Sequence, residues 1–219
     1  MTLESRDVQI HMLTTIGRLF PVEAWKPRSP FETLIHTILS QNTNDRNSDA
    51  AMRKLRRRYK IVPNVLAKAK IKDLVACIRT AGLYTSKAPR IKQVSKIIEE
   101  QYGGRLSPIL NLPYAQAKEK LMALPGVGPK TADILMAFVA RHPVIPVDTH
   151  VGRVTKRLGI APRNADYEKV RVSLEALISP KKRIRLHLSI IEFGRKICKA
   201  PKPLCQICPV GETCPNSTA

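Results

Sequence analysis

The 219-residue chain has few aromatic and few acidic residues. Phe, Trp and Tyr together make up 5% of the sequence, and this scarcity disfavours extended stacking on single-stranded nucleic acid. Only 17 Asp and Glu residues oppose 38 Lys and Arg residues, which leaves a formal net charge of +21. A positive excess of this size predicts a polyanionic partner, because it exceeds what solubility requires.

Long apolar runs are also missing. The longest one, at residues 134–140, lies between Asp133 and Arg141 and is too short to span a membrane. The N-terminal sequence MTLESRDVQI carries two acidic residues and has no apolar signal core. We therefore expect an intracellular protein, cytoplasmic or nucleoid-associated, with no membrane partner, and nucleic acid is the preferred polyanion.

Alternating apolar and polar residues between hairpin turns, the pattern of paired β-strands, are absent from the sequence. Helical spacing dominates, so we predict an all-α fold of about ten short helices. The clearest helix start has Ser29 as N-cap, Pro30 in the first turn and Glu32 as the partner in a capping box. Further helices are expected near residues 48–59, 71–80, 87–102, 114–122, 130–140, 149–158, 166–178 and 184–197.

The chain is long enough to bury a core as one domain or as two small ones. Proline-containing breaks fall at residues 27–30 and 143–146. These breaks predict a continuous domain over residues 28–142 and a second domain formed by residues 1–27 and 143–219.

Isolated cysteines are scarce, and only Cys77 stands alone, in the apolar sequence LVACI, where a small buried side chain is expected. Cys198, Cys205, Cys208 and Cys214 lie within seventeen residues. This spacing does not suit a disulfide framework in a reducing compartment and favours a metal centre. Zinc and a [4Fe–4S] cluster both accept four thiolates, so the spacing alone leaves both open.

The sequence LPGVGPKTAD, from Leu124 to Asp133, places Gly126 and Gly128 in a tight turn between two predicted helices. Val127 and the leucine are expected to anchor the turn from beneath. Backbone N–H groups in such a turn can bind a phosphate, helped by the positive end of the following helix. A GxG turn also often only joins two packed helices, and the pattern alone does not decide between these interpretations.

Lys130 follows this turn, and Asp148 lies eighteen residues later in the sequence VDTH. Both residues have ordinary structural explanations. An Asp at a helix start is an N-cap that contributes about 1 kcal/mol, and a lysine is commonly a solvated surface charge. Neither residue alone identifies an active site.

The combination of LPGVGPKTAD, VDTHVGRVTKRLG and the spacing C-x6-C-x2-C-x5-C resembles the endonuclease III family of the helix-hairpin-helix (HhH-GPD) DNA glycosylase superfamily. SPFETLIHTILSQNTND and AGLYTSKAPRI extend the similarity, which runs from about Phe20 to Cys214. The resemblance implies two α-helical domains with a DNA cleft between them. Residues 28–142 would form a helical barrel with the hairpin, and both chain ends would form an iron–sulfur cluster domain.

The resemblance makes Lys130 the nucleophile and Asp148 the catalytic carboxylate. Neutral Lys130 would attack the anomeric carbon, expel the base and form a Schiff base, from which β-elimination breaks the strand. Asp148 would stabilise the cationic sugar and assist proton transfers. We therefore expect a monomeric, bifunctional glycosylase and lyase that excises oxidised or otherwise damaged pyrimidines from double-stranded DNA and also cleaves abasic sites.

The resemblance also assigns contacts outside the catalytic pair. Asn42, with Gln41 beside it, would fill the gap left by the flipped base, and Leu83 would touch the opposite strand. The alternatives are a helix C-cap for Gln41 and Asn42 and core packing for Leu83. His150 would line the pocket for the damaged base, or else be a surface histidine. Many relatives have Gln where Asn42 stands, and some have an acidic residue in place of Met122, which leaves the substrate range open.

For the cysteine-rich segment, the resemblance selects a [4Fe–4S] cluster held by Cys198, Cys205, Cys208 and Cys214. Lys199 and Lys202, which lie between the first two cysteines, would meet DNA phosphates. Two other functions stay open at this point. One is a thymine or uracil mismatch glycosylase of the same superfamily, and the other is a non-catalytic DNA-binding module.

Overall fold

The computed structural model describes residues 3–22 and 28–218. These residues contain no β-strand, and the prediction of an all-α fold is confirmed. None of the helices in this part of the chain is long and apolar enough to cross a membrane. The α-helices are α1 (Leu3–Leu19), α2 (Pro30–Ser40), α3 (Asp45–Arg58), α4 (Pro63–Lys68), α5 (Ile71–Ile78), α6 (Tyr84–Tyr102), α7 (Ser107–Leu110), α8 (Tyr114–Met122), α9 (Pro129–Ile134), α10 (Thr149–Arg157), α11 (Tyr167–Glu175) and α12 (Arg183–Lys196).

Three of these helices were not predicted. Helices α4 and α7 are too short for their apolar periodicity to be visible in the sequence. Helix α1 is long, but its buried face includes the polar residues Gln9 and Thr15, which interrupt the apolar stripe. The amide nitrogen of Gln9 donates to the backbone carbonyl of Gly159 at 3.0 Å, which reduces the cost of burying this side chain.

The start of α2 follows the predicted chemistry in part. Ser29 is the N-cap, and its Oγ accepts a hydrogen bond from the N–H of Glu32 at 3.2 Å. The Glu32 carboxylate turns to α3, where its Oε1 accepts from Arg56 Nε at 2.6 Å. The glutamate therefore connects two helices and does not serve only the cap.

The chain divides into two compact units, residues 27–142 and residues 1–26 with 143–219. We call them the continuous unit and the terminal unit. The predicted break at residues 27–30 begins at Pro27, which lies outside the described residues.

The core of the continuous unit surrounds α2. Leu34, Ile35, Ile38 and Leu39 on this helix are fully buried, and α2 packs against α3, α6 and α9. The apolar periodicity of α2 in the sequence predicted this buried face.

The core of the terminal unit joins both ends of the chain. Met12 and Ile16 of α1 pack with Val154 of α10 and with Ile190 and Phe193 of α12. Three of the clustered cysteines are partly buried against this same core, so the cysteine-rich segment packs on apolar side chains of the terminal unit.

The prediction of one α-helix over residues 130–140 is wrong in its second half. Helix α9 ends at Ile134, and a π-helix, Leu135–Val139, continues it. Its wider turn is visible in the bond from the N–H of Ala140 to the carbonyl of Leu135 at 3.0 Å. A run of apolar residues gives no signal for this change, because it satisfies both helix types.

Candidate active site and DNA interface

The predicted hairpin is present between α8 and α9 in the continuous unit. Leu124 and Val127 are 4% and 7% exposed, which confirms the prediction that they anchor the turn. Because their side chains are buried, they can offer only backbone atoms to DNA. The N–H of Val127 donates to the carbonyl of Leu124 at 3.1 Å and closes the turn.

The two glycines of the hairpin have different roles. Gly126 has a φ of +80°, and a Cβ there would lie 3.2 Å from Arg90 Cδ, so the fold itself requires glycine. Gly128 is the N-cap of α9, with φ −100° and ψ −179°, which any residue can adopt. A Cβ at Gly128 would have no protein atom within 4 Å, so space is left there for an approaching group.

A buried ionic contact fixes α8 against α9. Asp133 is fully buried, and its carboxylate accepts from Tyr114 Oη at 2.7 Å and from Lys118 Nζ at 3.2 Å. The sequence prediction named Asp133 only as the end of the hairpin motif. Tyr114 and Lys118 lie one helical turn apart, a spacing that brings their side chains to the same face.

Gln41 ends α2 as its C-cap, as one of the two interpretations had it. Its side chain reaches the hairpin, where Nε2 donates to the carbonyl of Gly126 at 2.8 Å and lies 3.4 Å from Thr131 Oγ1. The amide of Gln41 is therefore used in a contact within the protein, and this contact connects the end of α2 to the hairpin.

Asn42 and Leu83, the two predicted DNA wedges, are exposed residues with left-handed backbone conformations. Their φ angles are +50° and +46°, and Leu83 is 54% exposed, so core packing is wrong as an explanation for it. Asparagine adopts this backbone readily just past the end of a helix, whereas at Leu83 it costs about 1–3 kcal/mol and must be held by the surroundings. The two loops are neighbours, because a Cβ at Gly82 would lie 4.0 Å from the carbonyl oxygen of Asn42.

Lys87, which the sequence prediction did not single out, joins these two loops. Its side chain is 1% exposed, and its Nζ donates to the backbone carbonyls of Leu39 at 2.7 Å, Gln41 at 2.6 Å and Ala81 at 2.8 Å. Burial lowers the pKa of Lys87 below its ordinary value. A signal did exist, because Lys87 occupies the same helical face as the buried residues Ile91 and Val94.

Lys130 is the second residue of α9 and is half-buried. Within the described ranges of the chain, its ammonium group makes no hydrogen bond or ion pair. The lysine therefore lies beside the open space at Gly128 and has no polar partner among the described residues. A nucleophilic amine needs such an arrangement, because its nitrogen must be accessible to the substrate.

Asp148 lies in the terminal unit, where it is the N-cap of α10. Its Oδ1 accepts from the N–H of Val151 at 2.7 Å, which confirms the predicted cap. Across the described part of the protein, its second oxygen makes no hydrogen bond. Capping therefore fixes the direction of the carboxylate and leaves one oxygen for another task.

His150 follows the cap on α10 and is half-buried. Its Nδ1 lies 3.2 Å from Arg153 Nη2, and a Cβ at Gly194 would lie 3.2 Å from its own Cβ. The ring thus packs against α12, which a freely exposed surface histidine would not do. The sequence showed the position of His150 but not this packing partner.

The four clustered cysteines line a common cavity in the terminal unit. A Cβ at Gly211 would lie 3.0 Å from the carbonyl oxygen of Cys205 and 3.2 Å from that of Cys208, so glycine allows the chain to close around this cavity. Among the residues that the structure describes, no three His, Cys, Asp or Glu side chains are grouped so that they could hold a metal ion.

Burial and hydrogen bonding affect the thiols in opposite directions. Burial raises the pKa of Cys208 and Cys214. Hydrogen bonding to Thr218 lowers the pKa of Cys205, because it favours the thiolate.

Two arginines of α10 hold the segment between the first two cysteines. Arg157 donates to the carbonyls of Lys199 at 2.6 Å and Ala200 at 2.9 Å, and Arg153 donates to that of Cys198 at 3.1 Å. Lys199 and Lys202, the predicted phosphate contacts, are both exposed. The backbone at Lys199 is thus anchored, while both lysine side chains stay accessible.

Comparison with known proteins agrees with this arrangement. The pattern of the HhH-GPD superfamily base excision DNA repair proteins matches residues 35–180. The chain is 41% identical over 183 residues to endonuclease III of Thermotoga maritima, which covers 84% of this chain and 81% of that protein. It is 33% identical over 188 residues to endonuclease III of Escherichia coli K12, with 85% and 83% coverage.

The similarity extends to solved structures. A trapped covalent intermediate of endonuclease III with DNA superimposes with a TM-score of 0.86 at 31% identity, over 98% of this chain and 97% of that one. A thermostable thymine-DNA glycosylase gives a TM-score of 0.77 at 22% identity, over 97% and 96%. The second similarity shows the fold alone and does not favour a mismatch glycosylase. The chain belongs to the endonuclease III family of the HhH-GPD superfamily of base excision DNA repair proteins.

Proposed function

We propose that this protein is a bifunctional DNA glycosylase and abasic-site lyase that removes oxidised or otherwise damaged pyrimidines from double-stranded DNA. The observation that carries the proposal is the half-buried Lys130, which has no polar partner among the described residues and lies beside the open space at Gly128. A relative with the same fold has been trapped as a covalent intermediate with DNA, and such an intermediate requires a nucleophile on the protein.

Lys130 would act as that nucleophile in its neutral form. The Nζ atom attacks C1′ of the damaged nucleotide, the bond from C1′ to the base breaks, and the base leaves with a proton. Opening of the sugar ring gives a Schiff base between C1′ and Nζ. Removal of a proton from C2′ then breaks the bond from C3′ to its oxygen, and the 3′ phosphate leaves.

Asp148 would stabilise the positive charge that develops on the sugar as the base departs. Its Oδ1 is held by the N–H of Val151, so the carboxylate does not need to reorient during the reaction. The second oxygen is available to stabilise the cation or to transfer a proton.

DNA binding would use separate groups of residues in each unit. The hairpin offers backbone N–H groups around Gly128, where a phosphate could approach without meeting a side chain. Asn42 and Leu83 would enter the duplex when a base is extruded. Lys199 and Lys202 would meet phosphates, and the net charge of +21 would make the affinity depend strongly on salt.

We infer that the four cysteines hold a [4Fe–4S] cluster and not a zinc ion. The support is that the four thiols line one cavity and that their spacing, C-x6-C-x2-C-x5-C, resembles the iron–sulfur segment of the endonuclease III family. When bound, the cluster would cross-link the segment. The segment would then hold Lys199 and Lys202 in place for DNA.

His150 would line the pocket for the damaged base. We also propose that the enzyme works as a monomer within the cell, at the nucleoid.

The proposal is tested by incubating the purified protein with duplexes that each carry one defined lesion. Strand cleavage at thymine glycol and at abasic sites, with no cleavage of undamaged DNA, is the expected result. A non-catalytic binding module would bind these duplexes without cleaving them. Release of thymine from a G·T mismatch without strand cleavage would instead support a monofunctional mismatch glycosylase.

A further inference from the structure

We propose that Lys87 is a positioning residue for duplex opening, which holds the loops of Asn42 and Leu83 in the conformation that enters DNA. This inference rests on the proposed function. It concerns a residue that touches no substrate and acts through the backbone of two loops.

The geometry of Lys87 connects these loops directly. Two of its acceptors, the carbonyls of Leu39 and Gln41, belong to the end of α2 just before Asn42. The third, the carbonyl of Ala81, lies two residues before Leu83. A single ammonium group therefore determines the separation of the two loops.

Packing alone does not explain a lysine at this position. A buried ammonium group is costly, and an apolar side chain would serve a core position better. Lys87 donates to three carbonyl oxygens, at distances of 2.6 to 2.8 Å, so the protonated group has all three donors satisfied. The acceptors lie at the C-terminal ends of α2 and of a short 3-10 helix, Arg79–Ala81, where carbonyls lack helical partners and a positive charge is favourable.

The backbone of the two loops is the feature that this arrangement would maintain. Asn42 and Leu83 have φ angles of +50° and +46°, and at Leu83 such a conformation persists only where the surroundings impose it. The Lys87 bonds lie immediately upstream of both residues. Gln41 extends the support, since its side chain holds the hairpin carbonyl of Gly126 at 2.8 Å. Both wedges are thus preorganised, and less ordering is required when a base is extruded.

The experiment compares two reactions of each variant under single-turnover conditions. One substrate is a duplex with thymine glycol, which requires base extrusion, and the other is a single-stranded oligonucleotide with an abasic site, which does not. Lys87→Met removes the three donors and keeps a long buried side chain. Lys92→Met is the matched control, because Lys92 also lies on α6 and donates to one backbone carbonyl, that of Ala69, at 2.9 Å.

The ratio of the duplex rate to the single-strand rate should fall at least about tenfold in Lys87→Met and stay at the wild-type value in Lys92→Met. A loss of folded protein lowers both rates equally and leaves this ratio unchanged, so a merely structural role gives the wild-type ratio and overturns the proposal. Lys87→Gln, which retains one donor group, should give an intermediate ratio. If Lys87→Met yields too little folded protein, the same ratio is measured with Lys87→Gln.

A second readout separates this inference from the proposed function. A 2-aminopurine placed beside the lesion becomes more fluorescent when the duplex is opened, whether or not cleavage follows. If the wild-type protein cleaves neither substrate, the proposed function fails, and the fluorescence still reports on Lys87. The increase should be lost in Lys87→Met at saturating protein, and an undiminished increase would refute the role of Lys87.

Discussion

The side-chain amide of Gln41 donates a hydrogen bond to the backbone carbonyl of Gly126 at 2.8 Å, although the two residues lie 85 positions apart. The end of α2 is therefore tied to the hairpin. Gln41→Glu would place a carboxylate oxygen against that carbonyl and should lower the free energy of unfolding by about 1–3 kcal/mol.

Denaturant unfolding measures this change, and a filter-binding assay should show weaker duplex affinity because the hairpin is displaced. Gln101→Glu is the control, because Gln101 is exposed on α6 and this substitution introduces the same charge away from the hairpin. Equal effects of the two substitutions would mean that charge, and not the bond to the hairpin, is responsible.

Lys130→Ala should abolish covalent trapping by borohydride on abasic or thymine glycol DNA, because no amine is left to form the Schiff base. Duplex affinity should be retained, since the hairpin backbone is unchanged. Lys120→Ala, at an exposed lysine in the last turn of α8, should trap like the wild type. Undiminished trapping in Lys130→Ala would remove Lys130 as the nucleophile.

Asp148→Asn separates capping from catalysis, because asparagine caps helices about as well as aspartate. We expect the stability to stay within about 0.5 kcal/mol and the single-turnover rate to fall about a hundredfold or more. Asp166→Asn is a closely matched control, since the Oδ1 of Asp166 caps α11 by accepting from the backbone N–H of Lys169 at 2.8 Å. If both variants retain full activity, Asp148 is only a cap.

Alanine substitution of the two hairpin glycines should affect different properties, stability at Gly126 and DNA affinity at Gly128. Gly126→Ala forces a left-handed alanine against Arg90 and should destabilise the protein by about 1–3 kcal/mol. Gly128→Ala meets no protein atom within 4 Å, so its thermal stability should be nearly unchanged while its duplex affinity falls. Unchanged affinity in Gly128→Ala would show that no phosphate approaches there.

Elemental analysis of the purified protein should find iron and acid-labile sulfide in equal amounts and no stoichiometric zinc. Cys208→Ser should lose this iron, because it removes one of the four thiolates. Cys77→Ala, at the isolated buried cysteine, should retain it. Colourless protein that contains zinc without iron would contradict the assignment of the cluster.

Features that depend on neighbouring residues were predictable from the sequence. The Ser29 cap, the Asp148 cap and the buried anchors of the hairpin each follow from chemistry within a few positions. The catalytic roles proposed for Lys130 and Asp148 came from resemblance and not from these local rules.

The supports beneath the site could not be predicted in the same way. Lys87 and Gln41 bind backbone carbonyls that are distant in the sequence, and every residue has a carbonyl, so no side-chain pattern marks the acceptors. Helix α1 was missed for a similar reason. The buried Gln9 interrupts its apolar face, and the partner of Gln9 is the distant backbone carbonyl of Gly159.

All three bonds of Lys87 are made to main-chain oxygens. The side chains that follow them, at positions 42 and 83, are therefore not used to maintain the loops that present them. On the proposed function, single substitutions there would change what is inserted into DNA while Lys87 maintains the backbone. Lesion and opposite-base preference could thus diverge between relatives by one residue at a time.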